Sequence, residues 1–287
     1  MTKKLSVIIV TYNSADYLNR CLNSVRQALQ NIDGEIIIID NASTDNTLEL
    51  LAEQKDINLW KNDKNLGFAK AVNQGIKEST GQYILLLNPD TIIYENTLVQ
   101  AIKYLNQHPE ITILGSKTKN KNGSLQPSCG KFPNKIIDLV MDRIPVIRLL
   151  NKYLYRRKNF YKKCQKPDWI VGSFFLFRNV LIKKVGFFDE RYFMYTEDVD
   201  YCYRSRLKGY QVGYCPKVEI IHFDSGKSAE RYPDKFINHR QSKLIFYDKF
   251  LPKRKLINLK RTLRVEYYFK LLFTDRYYDQ YLKQINK

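Results

Sequence analysis

Residues 5–40, LSVIIVTYNSADYLNRCLNSVRQALQNIDGEIIIID, decide the fold. Residues 5–11 form a continuous, β-branched apolar run. Residues 15–29 then place Leu18, Leu22, Val25 and Leu29 at helical spacing, and EIIIID at 35–40 reads as a second buried strand. The alternation continues outward. A helix is expected over 44–53, with Ser43 or Thr44 as N-cap, a strand over 57–61 and an amphipathic helix over 67–79. A strand follows at 83–87 (YILLL), then a helix over 96–106 that stops before Pro109, and a strand over 111–114. Continuous apolar strands separated by helices imply an α/β fold with a mostly parallel sheet covered on both faces.

In such sheets, ligands bind beyond the carboxyl ends of the strands. That rule selects Thr11, Tyr12 and Asn13 after the first strand, Asp40 and Asn41 at the end of the second, and Asn88-Pro89-Asp90 at the end of the fourth. Asp40 lies upstream of the helix caps Ser43, Thr44 and Asp45, so it reads as a ligand carboxylate for a base or ribose. Asn65 and Gly67 precede a helix. A single glycine there fits either a turn or a close approach of ligand to backbone. Pro89 disfavours helical geometry at Asn88 and aims Asp90 at the crevice mouth. There Asp90 suits a hard divalent cation; an aspartate at a strand–turn boundary is the alternative.

Beyond residue 115 the pattern loosens. Residues 117–168 read as an insertion over the crevice, with a turn at NGSLQPS, an apolar stretch at 136–155 and a basic aromatic stretch at 152–166. Order returns with a strand over 169–177, a helix over 199–208 and strands at 212–214 and 218–222. His222 ends the last of these, before the small, Lys-bearing loop 224–228 that suits a diphosphate. A structural, hydrogen-bonded histidine is the alternative reading.

Between residues 186 and 204, five carboxylates (Asp189, Glu190, Glu197, Asp198, Asp200) stand in the most basic part of a basic chain. Thr196 as N-cap, with acids in the first helical turn, is one sufficient account. If Val199, Cys202, Tyr203 and Leu207 form the buried face, Glu197 points away from it. Asp198 then lies at its border, where partial desolvation fits a carboxylate to act as a base. Asp189 and Glu190 read as turn residues.

The 287 residues carry a net charge of +19, and residues 151–287 hold 31 Lys and Arg against 14 Asp and Glu. Anionic partners are favoured: phosphorylated substrates, an anionic membrane surface or nucleic acid. Between 249 and 264 there are seven Lys or Arg and no acid, with helices expected near 236–245 and 256–273. The five cysteines are scattered and contain no CxxC, which argues against a disulfide framework or structural zinc and for a reducing cytosol. The apolar run at 5–10 is too short for a signal peptide, and no window nears the ~20 apolar residues of a membrane span.

Seven segments, taken in order, carry a resemblance: SVIIVTYN, IIIIDNASTD, NLGFAKAVNQG, LLLNPD, DWIVGSFFLFR, GFFDERYFMYTEDVDYCYR and HFDSGKS. Over roughly residues 4–230 the chain resembles the inverting family 2 glycosyltransferases of GT-A fold, and within them the bacterial rhamnosyltransferase-type branch. The resemblance implies a Rossmann-like, mixed and mostly parallel sheet flanked by helices. It also implies a domain over 1–230, with a nucleotide-binding half (1–115) and an acceptor-binding half (116–230), followed by a basic helical extension (231–287).

By the same resemblance Thr11, Tyr12, Asn13, Asp40, Asn65, Gly67 and Asn88 line the donor pocket. Asp90 holds Mg²⁺ or Mn²⁺ on the donor diphosphate, with His222 as a second ligand. Trp169, Gly172, Ser173 and Glu197 belong to the acceptor cleft, and Asp198 is the catalytic base. Asn88 stands where the family's DxD motif has its first aspartate, which implies a lower metal affinity. The expected activity is inverting transfer of a sugar, rhamnose from dTDP-rhamnose or a hexose from a UDP-sugar, to a lipid-linked bacterial surface glycan. The expected location is cytoplasmic, peripheral on the inner face of the membrane, with the basic extension docking on anionic lipid. A nucleic-acid-binding protein is the competing class; it lacks a recognised motif in this chain.

Overall fold

The computed structural model describes residues 3–132, 160–223 and 232–251. Its elements are β1 (Leu5–Thr11), α1 (Ala15–Leu29), β2 (Gly34–Asp40), α2 (Thr47–Ala52), β3 (Asn58–Lys61), α3 (Phe68–Glu78), β4 (Tyr83–Leu87), β5 (Thr91–Ile93), α4 (Thr97–Gln107) and β6 (Ile111–Lys119). They are followed by β7 (Leu125–Gln126), β8 (Cys129–Gly130), a 3-10 turn (Phe160–Lys162), β9 (Trp169–Ile170), β10 (Phe174–Arg178), α5 (Val180–Val185), α6 (Glu197–Leu207), β11 (Gln211–His222) and α7 (Tyr232–Phe250).

The main sheet runs β3-β2-β1-β4-β10-β6-β11-β5, with β7 added to β6. β3, β2, β1 and β4 are mutually parallel, as are β6 and β11; β10 and β5 run against their neighbours. The fold is therefore the mixed, mostly parallel α/β sheet with flanking helices. Alternating residues of β1 serve both faces. Leu5, Val7 and Ile9 pack with Leu18, Leu22 and Val25 of α1 and with Leu98 and Leu105 of α4. Ile8 and Val10 pack on the other face with Val72 and Ile76 of α3 and with Tyr201 of α6.

This topology brings one set of strand ends to a single edge. Thr11 pairs with Asp40, Ile9 with Leu87, and Leu87 with Phe174, so the ends of β1, β2 and β4 meet the start of β10. β6 lies parallel to β4 through β10, and β11 parallel to β6, so His222 ends at that same edge.

Several local expectations change. The helix expected over 44–53 begins at Thr47, because the preceding amides are taken by other partners. Ser43 N–H donates to Asp40 Oδ2 (3.0 Å), Thr44 N–H to Asn13 Oδ1 (2.8 Å) and Thr47 N–H to Asp45 Oδ1 (3.1 Å). The strand expected over 169–177 is two strands, β9 and β10, separated by a turn whose amides face outward to other segments. The expected strands at 212–214 and 218–222 are one, β11, bulged between Cys215 and Glu219. Part of the expected insertion is built into the sheets: NGSLQPS turns β6 into β7, and β8 pairs with β9.

The first part of the basic extension is α7, which packs on the domain. Phe246 and Tyr247 are buried in the same core as Phe175 and Tyr201. Residues 136–155, the loop 224–228, the basic residues 253–264 and the helix expected over 256–273 lie outside the described residues.

Candidate functional site

At the open edge, the loops after β1 and β2 are tied to each other. Asp40 is fully buried. Its Oδ1 accepts from Thr11 Oγ1 (2.9 Å) and Ser43 Oγ (2.6 Å), and its Oδ2 from the Ser43 amide. As placed, this carboxylate braces the loop from beneath instead of facing the crevice. Asn13 N–H donates to Ser43 Oγ (3.0 Å), and both Asn13 and Ala42 sit at positive φ (49° and 65°), which costs a non-glycine residue energy. Tyr12, 46% exposed, is the large side chain of these loops left free to stack on a flat ligand.

The Asn65 loop is held by Asn41, whose Nδ2 donates to Asn65 Oδ1 (2.8 Å) and whose Oδ1 accepts from the Leu66 amide (2.9 Å). Gly67 has a φ of 87°, and a Cβ there would meet Phe193 O at 2.7 Å. The glycine thus admits the chain's own backbone: the Phe68 amide donates to Phe193 O at 2.6 Å. This contact docks the acidic segment on the start of α3.

Asn88, Asp90 and His222 converge. His222 Nε2 lies 3.2 Å from Asp90 Oδ1 and 3.3 Å from Asn88 Nδ2, and its Nδ1 lies 2.9 Å from Gln126 Oε1. An Nδ1–H donated to Gln126 leaves the Nε2 lone pair turned toward Asn88 and Asp90. An imidazole nitrogen and a carboxylate oxygen presented side by side form a donor pair for a divalent cation. Among the described residues no group of three His, Cys, Asp or Glu comes together around a metal position. A cation held by Asp90 and His222 would therefore need the rest of its shell from outside these residues. Gln126, which orients His222, was not singled out from sequence; it sits 96 residues away and nothing local marks it.

The turn between β9 and β10 faces the acidic helix α6. Gly172 N–H donates to Asp198 Oδ2 (2.9 Å), Val199 N–H to Asp198 Oδ1 (2.8 Å), and Asn88 N–H to Ser173 O (3.2 Å). Ser173 is thereby tied to the Asp90 corner and Gly172 to Asp198. Trp169 is half-buried, with its indole N–H donated to Lys131 O (2.8 Å).

Asp198 is half-buried, and burial pushes its carboxyl up to about 6, against the pull of the two amides. Glu197 does not point outward. It is 6% exposed, and its Oε2 has no hydrogen-bond partner among the described residues. Burial, and then the charge of Asp198, hold its carboxyl well above the usual range. Leu207, expected on the buried face, is instead 65% exposed.

Thr196 precedes α6 in a left-handed conformation (φ 69°) and makes no side-chain cap bond. Tyr195 before it is also left-handed (φ 72°). The segment is clamped from outside. Ser242 Oγ of α7 donates to Met194 O (2.8 Å). Lys249 Nζ donates to Asp189 Oδ2 (2.8 Å) and Asp200 Oδ1 (2.7 Å), and Arg204 Nε donates to Asp200 Oδ2 (2.6 Å). Asp200 is therefore a fully buried anchor, not a helix-end surface charge. Asp189 accepts from the Arg191 amide and guanidinium as expected of a turn, with the α7 lysine added. Glu190 accepts from Asn73 Nδ2 (3.0 Å).

The family model described as glycosyl transferase family 2 matches residues 6–186. The N-acetylglucosaminyl-diphospho-decaprenol L-rhamnosyltransferase of Mycobacterium tuberculosis is 27% identical over 260 residues, covering 86% of this chain and 84% of that protein. Rhamnosyltransferase WbbL of Escherichia coli K12 is 27% identical over 248 residues, covering 82% and 89%. Among solved structures, the mannosyltransferase PcManGT of Pyrobaculum calidifontis, in complex with GDP-Man and Mn2+, aligns with a TM-score of 0.61 at 17% identity. That alignment covers 99% of this chain and 79% of the other. TarS 1–349 of S. aureus in complex with UDP aligns at 0.53 and 21% identity over 82% of this chain, which spans 64% of that one. Both likenesses support the same sheet architecture.

Proposed function

The chain belongs to glycosyl transferase family 2, and from that premise we propose that it moves a sugar from a nucleoside-diphosphate donor to a glycan hydroxyl by a single inverting displacement. The observation that carries this reading is the placement of Asp198. A half-buried carboxylate, fixed by the Gly172 amide, stands on the same sheet edge as the Asp90–His222 pair.

In this reading, the base and ribose of the donor lie over Tyr12, Asn13 and the Asn65–Gly67 loop, which Asp40 and Asn41 hold rigid from below. The diphosphate reaches the Asn88–Asp90 corner, where Asp90 Oδ1 and His222 Nε2 would hold Mg²⁺ or Mn²⁺. A divalent ion bound there neutralises charge on the departing diphosphate. Asn88, in place of a carboxylate, contributes no charge to that corner, so the site draws more of its affinity from the donor.

Asp198 accepts the proton of the acceptor hydroxyl as its oxygen bonds to the anomeric carbon and the carbon–phosphate-oxygen bond breaks. Glu197, more deeply buried beside it, resists ionisation, which favours the negative charge on Asp198. Two neighbouring carboxyls held at different proton affinities take different roles. With 6% of its surface exposed, Glu197 supports the acceptor cleft by setting the charge of Asp198, while Trp169, Gly172 and Ser173 shape it.

The rhamnosyltransferase relatives favour dTDP-rhamnose as donor ahead of UDP-hexoses, and the decaprenol in one relative's name favours a lipid-linked acceptor. No helix among the described residues is long and apolar enough to cross a membrane. The basic residues 253–264 are assigned to docking on the anionic inner face, by charge attraction that salt weakens. Thermal stabilisation and hydrolysis measured across a panel of nucleotide sugars test the proposal. Binding of dTDP-rhamnose is the expected result, and indifference to every nucleotide sugar would sink it.

A further inference from the structure

Two of the five cysteines, 51 residues apart in the chain, meet in the fold: Cys164 Sγ lies 3.6 Å from Cys215 Sγ. The backbone explains why. Gln165 and Tyr214 exchange both main-chain hydrogen bonds (3.0 and 2.9 Å) in an antiparallel bridge beside the β11 bulge. The next pair along such a ladder, Cys164 opposite Cys215, is a non-hydrogen-bonded pair. Pairs of that kind hold their Cα atoms about 4.5 Å apart, inside the span of roughly 4.4–6.8 Å that a disulfide bridges. The side chains project to the same side, and Cys164 directs its S–H at the Cys215 sulfur. Closing the bond requires the two sulfurs to approach by roughly 1.5 Å, within reach of small χ1 rotations.

The two thiols differ in access. Cys164 is exposed, and Cys215 is buried. We propose that Cys164 and Cys215 form a modification site, a dithiol that peroxide-class oxidants convert to a reversible intrachain disulfide. The exposed Cys164 thiolate attacks the peroxide oxygen, the O–O bond breaks, and Cys164 becomes a sulfenic acid as hydroxide leaves. Cys215 sulfur then attacks the Cys164 sulfur. The S–O bond breaks, and the hydroxyl leaves as water with the Cys215 proton. Both thiols are oxidised, and the peroxide is reduced.

Burial pushes the Cys215 thiol up to about 11, which keeps it inert toward direct oxidation until its neighbour has reacted. Cys21, Cys129 and Cys202 are also buried, so Cys164 is the one of the five at which oxidation begins. The new bond would pin the strand entering Trp169 to β11 and enclose Gly172, Ser173 and Asp198 within its loop. It would thus tie the acceptor-side elements to the sheet.

The test uses the full-length protein and hydrogen peroxide, with free thiols blocked by iodoacetamide before non-reducing tryptic mass spectrometry. The expected result is a linked peptide pair containing Cys164 and Cys215 in a monomeric chain lighter by two hydrogens, lost again on dithiothreitol treatment. In Cys215→Ser the same oxidation should leave Cys164 as a dimedone-reactive sulfenic acid. The proposal is overturned if Cys164 in the wild type stays open to iodoacetamide, pairs between chains, or ends as sulfonic acid with no linked peptide.

Discussion

The Gly172 amide donates to Asp198 Oδ2 at 2.9 Å, so the turn that opens β10 aims the carboxylate that begins α6. With Oδ1 taken by the Val199 amide at 2.8 Å, the carboxyl group cannot rotate, and one lone pair of each oxygen remains for a hydroxyl. Asp198→Asn keeps the shape and removes the base. Transfer should fall by about 10²–10⁴-fold while donor binding, measured by calorimetry, is unchanged. Near-normal turnover would move the base elsewhere.

Activity should depend on pH through the same group. In the proposed mechanism Asp198 acts as a base only when ionised, and burial raises its carboxyl from 3.8 to about 6. Turnover per unit KM should therefore rise through about pH 6 and level off above it. The stability effect has the opposite sign. A carboxyl that holds its proton more tightly folded than unfolded destabilises the fold once ionised, and this cost sets in as pH climbs from about 4 to 6. Relative to Asp198→Asn, which does not titrate, the wild type should accordingly lose Tm as pH climbs from about 4 to 6. Thermal scans of both proteins across that window check it.

Lys249→Met removes one of the two cations that hold the buried Asp200. Because Arg204 remains, the loss should be on the order of 2 kcal/mol, less than the full breakage of a buried pair. Urea unfolding measures it, and Lys249→Arg should restore most of the difference. No loss in Lys249→Met would show that α7 merely lies against the acidic segment.

Gly67→Ala places a Cβ 2.7 Å from Phe193 O at a φ of 87°. The Phe193 backbone must withdraw, and with it Tyr195 and Thr196, whose left-handed geometry sets the start of α6. A destabilisation of about 1–3 kcal/mol with a lowered kcat is expected, read from Tm and initial rates. Full activity would show that the α6 helix holds Asp198 without help from Gly67.

Gln126→Ala frees the His222 ring while leaving Asp90 and His222, the proposed metal ligands, in place. Loss of such an orienting partner typically weakens metal binding by about 10–100-fold. Half-maximal activation should therefore shift to higher Mn²⁺ concentration, with kcat at saturating Mn²⁺ largely kept. An unchanged Mn²⁺ titration in both Gln126→Ala and His222→Ala would remove His222 from the metal corner.

Much of this site was legible in one dimension. The apolar runs of β1, β2 and β4 identify parallel strands buried on both faces. The residues just past their ends, Thr11–Asn13, Asp40 and Asn88–Asp90, must then share one edge. The amphipathic period of α1 appears with its observed bounds, because Leu18, Leu22 and Val25 form the face that packs on the core. Asp198 stood out as a carboxylate at the margin of an apolar helical face.

The orientation of α6 was not legible. Its sequence presents Leu207 as apolar and Glu197 as charged, yet Leu207 is exposed and Glu197 buried. The helix is rotated by partners remote in sequence: Lys249 drawn to Asp200, and the Phe246 and Phe250 rings packed on Tyr203. A hydrophobic period measures one helix against an average neighbour and cannot register a buried ion pair supplied from elsewhere.

The chain's own order of residues thus determined the strands, their parallel sense and the edge at which the candidate residues meet, since each follows from local polarity and short connections. Tertiary structure alone decided that Asp40 braces a loop, that Gln126 turns His222, that Gly67 admits Phe193 and that Cys164 meets Cys215. Each of those depends on a contact across 29 to 126 residues, made by the closing of the sheet.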